Sequence, residues 1–217
     1  MDKIIPAFET TLFDPSLHSV LQEMTELGID SLLDNGILRD VPIVNLIIGL
    51  GKTAQNIQDR NLLRNTIMFI KTFNDKNLSQ AKIDKYRNKL QNKPKFAEEE
   101  LGRVIVLLNS YTELKKSELL AKLYFSYING IIDWPQFCEL SDITSRLFIA
   151  DLQLLYNLYS DKTYDTSQCP LYKIQRLRSL GLVDSEMEQT VENSTLLIHR
   201  NILINELGNL FCSITLN

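Results

Sequence analysis

A glycine-rich turn near residue 50 contains the residue types of a phosphate-binding loop. Gly49 to Thr53 reads Gly-Leu-Gly-Lys-Thr, and such a loop ends in Gly-Lys-Thr or Gly-Lys-Ser. The complete loop also requires a glycine five positions before Gly51, where this chain has Leu46. In addition, the loop follows a β-strand, whereas this segment follows a proline-started helical pattern. The sequence therefore does not predict nucleotide hydrolysis.

The histidines and cysteines lack the spacing of a metal site. His18 and His199 are far apart in the chain. The cysteines are widely separated and include no CxxC pair: Cys138, Cys169 and Cys212. Metal sites in proteins draw on such ligands at short, regular intervals, and cysteines in the cytosol are ordinarily reduced. We therefore predict no metal and no cofactor, and we expect three reduced thiols.

Three consecutive glutamates, Glu98 to Glu100, form a cluster of carboxylates. They stand near the predicted start of a helix at Phe96, where negative charge interacts favourably with the positive end of the helix dipole. We predict that they stabilise this helix start and do not form a catalytic or metal site. Because no motif for a nucleophile occurs elsewhere, the sequence predicts that the protein is not an enzyme and has no small-molecule substrate.

An apolar segment from Val41 to Gly51 lies between Asp40 and Lys52. A helix needs about 20 apolar residues to cross a bilayer, so this segment is too short to span one by itself. We predict a helix that is buried in the resting protein, and engagement of a membrane on activation is left open. The residues that would contact a membrane or a protein partner are Ile43, Ile47, Ile48 and Leu50.

Helical periodicity dominates the first 160 residues. Glycine and proline are scarce, with 8 and 6 residues, and apolar residues recur every three or four positions. Start signals occur at Asp40–Pro42 and Asp133–Pro135, and a polar surface helix is predicted over Ser79–Lys93. From Asp133 the pattern predicts one helix that continues to Tyr159. The sequence thus predicts a mainly α protein with a helical bundle over residues 1–160.

The end of the chain follows a different order of elements. Pro170 to Leu182 predicts a short helix, Ser194 to His199 predicts a strand of a short β-hairpin, and Asn205 to Phe211 predicts a capped helix. This order resembles a winged helix-turn-helix module. We predict such a module over residues 161–217, with 139–160 as an alternative for its first helix. Its candidate DNA contacts are Lys173, Arg176, Arg178 and Arg200.

Net charge and the first residues bear on partners and compartment. The net charge is -4, so binding of DNA would depend on a local basic patch that acts against the sign of the whole molecule. The first ten residues, MDKIIPAFET, lack the basic and apolar regions of a secretion signal. We therefore expect a cytoplasmic protein, with peripheral attachment to the inner membrane as an alternative.

A family resemblance rests on three parts of the sequence. They are Gly36 to Phe73, the stretch LLAKLYFSYINGIIDWPQF, and the tail with its LGL and ELG segments. Together they resemble small bacterial proteins and the Abi-alpha-like abortive-infection family, whose members combine an apolar N-terminal helical region with such a tail. The resemblance implies a role in phage defence. It carries no catalytic motif, so it transfers no functional residue.

Two functional hypotheses follow from the sequence. The first is a non-enzymatic phage-defence or regulatory protein whose apolar helical region engages a protein partner, a second copy of the chain or a membrane. The alternative is a winged-helix transcriptional regulator that binds DNA. The hypotheses differ in the surface that they use, which is the apolar segment after Asp40 in the first and the cationic helix after Pro170 in the second.

Overall fold

The structure is a computed structural model that describes residues 3–14, 16–17, 21, 28, 31, 34, 36, 38–50, 57–76, 78–161, 164, 169–192 and 195–216. Side chains are described for these residues except Leu50 and 185–201. His18 and the Gly-Lys-Thr of the glycine-rich turn lie outside the described residues. Within the described part, the protein is mainly helical with a two-stranded antiparallel sheet near its C-terminus, as the sequence predicts.

The chain forms two compact units, Met1–Phe137 and Cys138–Asn217. We call them the N-terminal unit and the C-terminal unit. The boundary between them falls within a helix, Trp134–Arg146. None of the described helices is both long enough and apolar enough to cross a membrane.

The described helices of the N-terminal unit pack around one central helix. They are α1 (Ile4–Leu12), α2 (Pro42–Leu50), α3 (Ile57–Asn74), α4 (Gln80–Asn92), α5 (Pro94–Ser110), α6 (Leu114–Ile128) and the start of α7 (Trp134–Arg146). α3 packs against α1, α2, α5 and α6, and α4 packs against α5. The central position of α3 explains why its apolar residues are buried on several sides.

Aromatic side chains fill the centre of the N-terminal unit. Phe69 and Phe73 are one turn apart on α3, and their ring centroids are 6.4 Å apart. Tyr124 of α6 packs against both rings, at 5.8 and 6.1 Å. Phe8 of α1 and Phe137 of α7 contact the same group. Because all five rings are buried, removal of their apolar surface from water is a main stabilising contribution in this unit.

Helix α2 begins at Pro42, as its start signal predicts, and buries its apolar face. Ile43 and Ile47 are 1% and 3% exposed, and Ile48 is half-buried. The backbone N–H of Ile43 donates to Thr11 Oγ1 of α1 at 3.2 Å, which satisfies one of the unpaired donors at the helix start. Burial of the apolar segment is therefore confirmed for Ile43 and Ile47.

The prediction of a single helix from Asp133 to Tyr159 is wrong. The chain forms α7 and then α8 (Ile149–Ser160), separated by Leu147 and Phe148, and the backbone of Phe148 is extended with φ -79° and ψ 121°. The start of α7 follows its signal, because Asp133 and Gln136 exchange side-chain-to-backbone hydrogen bonds of 2.9 Å. The sequence hides the break because apolar residues continue at helical spacing across it.

The C-terminal unit contains two helices, a hairpin and a final helix after the end of α7. They are α8, α9 (Leu171–Ser179), β1 (Val183–Glu192), β2 (Thr195–Ile204) and α10 (Glu206–Thr215). The strands pair without a break from Val183 opposite Ile204 to Glu192 opposite Thr195. The polar stretch that precedes β2 is therefore itself a strand. Its polarity does not prevent pairing, because the ladder is formed by backbone groups.

Helix α10 begins with the predicted asparagine cap. The side-chain Oδ1 of Asn205 accepts a hydrogen bond from the backbone N–H of Gly208 at 2.9 Å. A Cβ at Gly208 would lie 2.1 Å from the carbonyl oxygen of Leu182 and 2.7 Å from Cγ1 of Ile204. Only glycine fits this position without a shift, because α10 packs directly on the backbone that leads into β1.

Candidate functional site

Helix α9 carries three of the four cations that the sequence predicts as DNA contacts. Ile174 and Leu177 are buried and fix which side of the helix faces the core. Lys173 and Arg176 are consequently half-buried, and Arg178 is exposed. The three cations therefore do not share one environment, although they lie within two helical turns.

The other candidate residues are dispersed. Lys173 Nζ donates to the backbone oxygen of Ala150 at 3.4 Å, which directs it toward α8. The side chain of Arg200 lies outside the described residues, and so does that of Leu50. The apolar candidates of α2 belong to the N-terminal unit. The predicted DNA contacts that the structure describes therefore do not form one cluster in the C-terminal unit. Of these residues, Arg176 has the most extensive contacts.

Arg176 forms a two-pronged ion pair with a buried carboxylate. Its Nε donates to Asp151 Oδ2 at 2.7 Å, and its Nη2 donates to Asp151 Oδ1 at 2.6 Å. Asp151 lies in the first turn of α8 and is 1% exposed, whereas the Arg176 side chain is 32% exposed. A carboxylate that is removed from water needs such a partner, and the planar guanidinium matches it at both oxygens. These hydrogen bonds also raise the pKa of Arg176.

Two exposed aromatic rings lie against the guanidinium of Arg176. Its Cζ lies 4.2 Å from the ring centroid of Phe148 and 4.9 Å from that of Tyr172. Phe148 and Tyr172 are both 55% exposed, and the neighbouring Leu171 is 45% exposed. We call Phe148, Leu171, Tyr172 and Arg176 the arginine–aromatic surface. Asp151 holds it in place, since the ion pair fixes the cation against which both rings stack.

The arrangement at Arg176 is suited to recognition and not to proton transfer. A guanidinium that stays protonated at every physiological pH has no role as a general base. Arginine and aromatic side chains are instead among the residue types that contribute most to binding at protein interfaces. The sequence predicted the cation but missed Phe148 and Asp151, because they come from a different part of the chain.

A second group of polar residues lies inside the N-terminal unit, and it includes Glu100, which the sequence wrongly assigned to the start of a helix. Glu100 is on the second turn of α5 and is fully buried, so it does not serve the helix start. Tyr86 Oη donates to its Oε2 at 2.5 Å, and Tyr127 Oη donates to its Oε1. The hydroxyls of Tyr86 and Tyr124 are 2.6 Å apart, and Lys89 Nζ lies 3.6 Å from Glu100 Oε1.

Burial controls the acidity of this network. It raises the pKa of Glu100, an effect that the hydrogen bonds from Tyr127 and Tyr86 and the charge of Lys89 partly offset. Burial also raises the pKa of Tyr124. Glu100 and Tyr124 are both 0% exposed, so a substrate has no access to them. The network therefore joins α4, α5 and α6 and has a structural role.

Comparisons with known proteins add no further constraint. The chain matches no protein-family model, no characterised protein and no solved structure.

Neither a metal cluster nor a reactive cavity is found among the described residues. No three His, Cys, Asp or Glu side chains of this part of the chain lie close enough together to hold a metal ion. A cavity of about 250 Å³ in the C-terminal unit is lined by Leu158, Ile202, Leu203, Ile204 and Asn209. None of these described lining residues is titratable.

Proposed function

We propose that this chain is a non-enzymatic regulatory protein that binds a protein partner through the arginine–aromatic surface of its C-terminal unit. The observation that carries the proposal is the exposure of Phe148 and Tyr172 next to a guanidinium that is already fixed by Asp151. Two large rings that remain half in water leave apolar area that a partner can cover.

Pre-organisation favours this surface over other exposed apolar residues. A partner that binds a mobile arginine has to immobilise it, at a cost of about 1 kcal/mol in side-chain entropy. Here Arg176 is held by two hydrogen bonds and two stacked rings before any partner arrives. The ion pair with Asp151 also removes a charge that would otherwise have to be desolvated on binding.

The proposal includes a role in phage defence, which the family resemblance implies. In that role α2 would be a second contact element that is released on activation to engage a partner or a membrane. The burial of Ile43 and Ile47 supports its sequestration at rest. The arginine–aromatic surface is exposed without any rearrangement, and for this reason it is the better candidate for the first contact.

Photo-crosslinking in cells of the source organism tests the proposal. A photoreactive phenylalanine analogue in place of Tyr172 should give discrete protein adducts, and these should be lost when Phe148 is also changed to Ser. The matched control places the same analogue at Ile131, which is 58% exposed in the N-terminal unit. Absence of adducts at position 172, or the same adducts at position 131, would refute the proposal.

A DNA-binding winged-helix regulator is the second candidate. The order α8, α9, hairpin and α10 supports it, as does the exposure of Arg178. Two observations count against it. Arg176 is neutralised by Asp151, and the sequence of β1 has acidic residues at positions 184, 186, 188 and 192, where a wing would approach phosphates. Duplex binding that is lost in Lys173→Gln/Arg178→Gln would favour this candidate.

A further inference from the structure

Helix α4 is strongly basic in a chain that is acidic overall. Residues 82–95 contain six lysines and arginines and a single carboxylate, Asp84, whereas the net charge of the chain is -4. Such a local excess of one sign determines what a surface attracts, even when the whole molecule has the opposite charge. The sequence predicted this helix only as a polar surface element, and its boundaries, Gln80–Asn92, agree with that prediction.

Three of these cations lie along one edge of α4, and a fourth stands just beyond its last residue. Lys82, Lys85 and Lys89 follow at three- and four-residue spacing, which places them within about 60° of one another around the helix axis and about 10 Å apart from first to last. Lys93 follows at the junction with α5. All four residues are exposed. We call these four residues the lysine stripe.

Little negative charge balances the lysine stripe. Lys85 and Lys93 form no ion pair with any described residue. Lys82 donates to the backbone oxygen of Asn129 at 3.0 Å, which is a neutral partner. Lys89 differs from the other three lysines because its Nζ forms an ion pair with the buried carboxylate of Glu100, at 3.6 Å.

The neighbouring carboxylates lie away from the stripe. The side chain of Asp84 accepts a hydrogen bond from Gln80 on another side of the helix. Glu98 and Glu99 follow Lys95 by one turn on α5, so Lys95 is not included in the stripe. Among the residues that the structure describes, Lys89 is therefore the one member of the stripe with a matching anion.

The side chains on and beside α4 indicate whether the lysine stripe suits a lipid surface, a single-stranded nucleic acid or a duplex. None of the residues of α4, all of which are described, exposes a large apolar side chain, so the helix lacks the wedge that an interfacial helix inserts into lipid. The aromatic rings beside Lys89 are already occupied, because its Nζ lies 3.7 Å from the ring centroid of Phe96 and donates to Tyr127 Oη at 3.1 Å. Single strands are usually held by stacking of bases on aromatic rings. We propose that the lysine stripe binds the phosphate backbone of duplex DNA without reading its sequence.

Salt dependence of duplex binding by the full chain tests this inference. A surface that neutralises about three phosphates loses about 40-fold in affinity between about 50 and 200 mM salt. Binding is measured by fluorescence anisotropy with a labelled duplex. Lys85→Gln/Lys93→Gln should bind more weakly than the unmodified chain, and its slope of log affinity against log salt should be less negative by about 2. Unchanged circular dichroism would show that the variant is folded.

A matched variant controls for net charge. Lys115→Gln/Lys116→Gln also removes two positive charges, but from residues that are paired with Glu118 and Glu113, so it should bind the duplex like the unmodified chain. Equal weakening in this control, or no binding at low salt, would overturn the inference. So would loss of binding in Lys173→Gln/Arg178→Gln alone, since the duplex would then bind the C-terminal unit. Preference for a single strand or for phosphatidylserine vesicles would likewise overturn it.

Discussion

Two buried carboxylates illustrate how this chain removes charge from water in different ways. Asp151 faces a guanidinium that matches both of its oxygens, so its negative charge is neutralised directly. Glu100 instead accepts hydrogen bonds from two tyrosines, and its cation, Lys89, lies at the edge of the network. Hydroxyl groups stabilise a carboxylate less than an opposite charge does. At Glu100 the effect of burial outweighs these hydrogen bonds and raises the pKa of the carboxyl group.

Substitution of Glu100 by Gln should remove a pH dependence from the stability of the N-terminal unit. The folded protein keeps a proton on Glu100 to a higher pH than the unfolded chain does, so the contribution of this group to stability is complete below its ordinary pKa of 4.5 and is lost as the pH rises through the folded value. Urea unfolding of the unmodified chain and of Glu100→Gln can be followed by Trp134 fluorescence from about pH 4 to neutrality. As the pH rises, the unmodified chain should lose stability relative to Glu100→Gln.

The amide can replace the carboxylate in the network. In Glu100→Gln the side-chain oxygen would accept from Tyr127, and the NH₂ group would donate to Tyr86, which in turn donates to Tyr124. Glu100→Leu, in contrast, leaves buried hydroxyls without an acceptor and should lower the free energy of unfolding by about 2 kcal/mol relative to Glu100→Gln at every pH. Parallel pH curves for the unmodified chain and Glu100→Gln would show that the carboxylate does not bind its proton more tightly in the folded state.

At the scale of elements, α2 is held by apolar contacts on one face only. Ile47 is 3% exposed, whereas Asn45 on the same helix is exposed. Ile47→Asp would place an unpaired charge among apolar side chains and should lower the free energy of unfolding by about 3 kcal/mol or more. Asn45→Asp introduces the same group in water and should change it by less than about 0.5 kcal/mol. Equal stability of the two variants in urea unfolding would mean that α2 is not packed in solution.

How far each element was predictable depends on whether its signal is local. Start signals at Pro42 and Asp133 and the cap at Asn205 act within one turn, and the helices begin where these signals predict. The extended backbone of Phe148 and the strand β1 depend on what packs or pairs with them from elsewhere in the chain. Such contacts leave no mark on the spacing of apolar residues.

The candidate sites follow the same division between local and non-local signals. Residue type identified Arg176 as a functional candidate, but its environment could not be predicted, since Asp151 belongs to another helix. Glu100 shows the reverse error. Its position near a helix start predicted a role in the dipole, whereas the fold turns it toward two tyrosines from α4 and α6. Tertiary contacts therefore decide what a charged residue does, and sequence patterns supply only the candidates.

At the scale of the whole molecule, charge is divided unevenly between the units. The C-terminal unit has ten acidic and six basic residues, which account for the entire net charge of -4. The N-terminal unit is neutral as a whole, and its lysine stripe is therefore a local excess of positive charge within a balanced background. A polyanion would be repelled by the C-terminal unit and attracted to one edge of the N-terminal unit. This division is consistent with a protein partner for the C-terminal unit and DNA for the N-terminal unit.

Each unit has a core of its own, so we expect them to unfold in separate transitions. Gly208→Ala forces a Cβ against the carbonyl oxygen of Leu182 and should destabilise the C-terminal unit by about 3 kcal/mol. Gly102→Ala, on α5, meets only Ile5 Cδ1 at 4.0 Å and should stabilise the N-terminal unit by about 1 kcal/mol. Trp134, the single tryptophan, reports on the N-terminal unit, and circular dichroism reports on both.

These two probes separate the units because only one of them detects the C-terminal unit. Gly208→Ala should lower the melting temperature of one circular dichroism transition and leave the tryptophan midpoint unchanged, whereas Gly102→Ala should raise the tryptophan midpoint. A single transition in which both probes shift together would show that the chain unfolds as one cooperative unit. In that case α7, which is continuous across Phe137 and Cys138, would be the element that transmits the coupling.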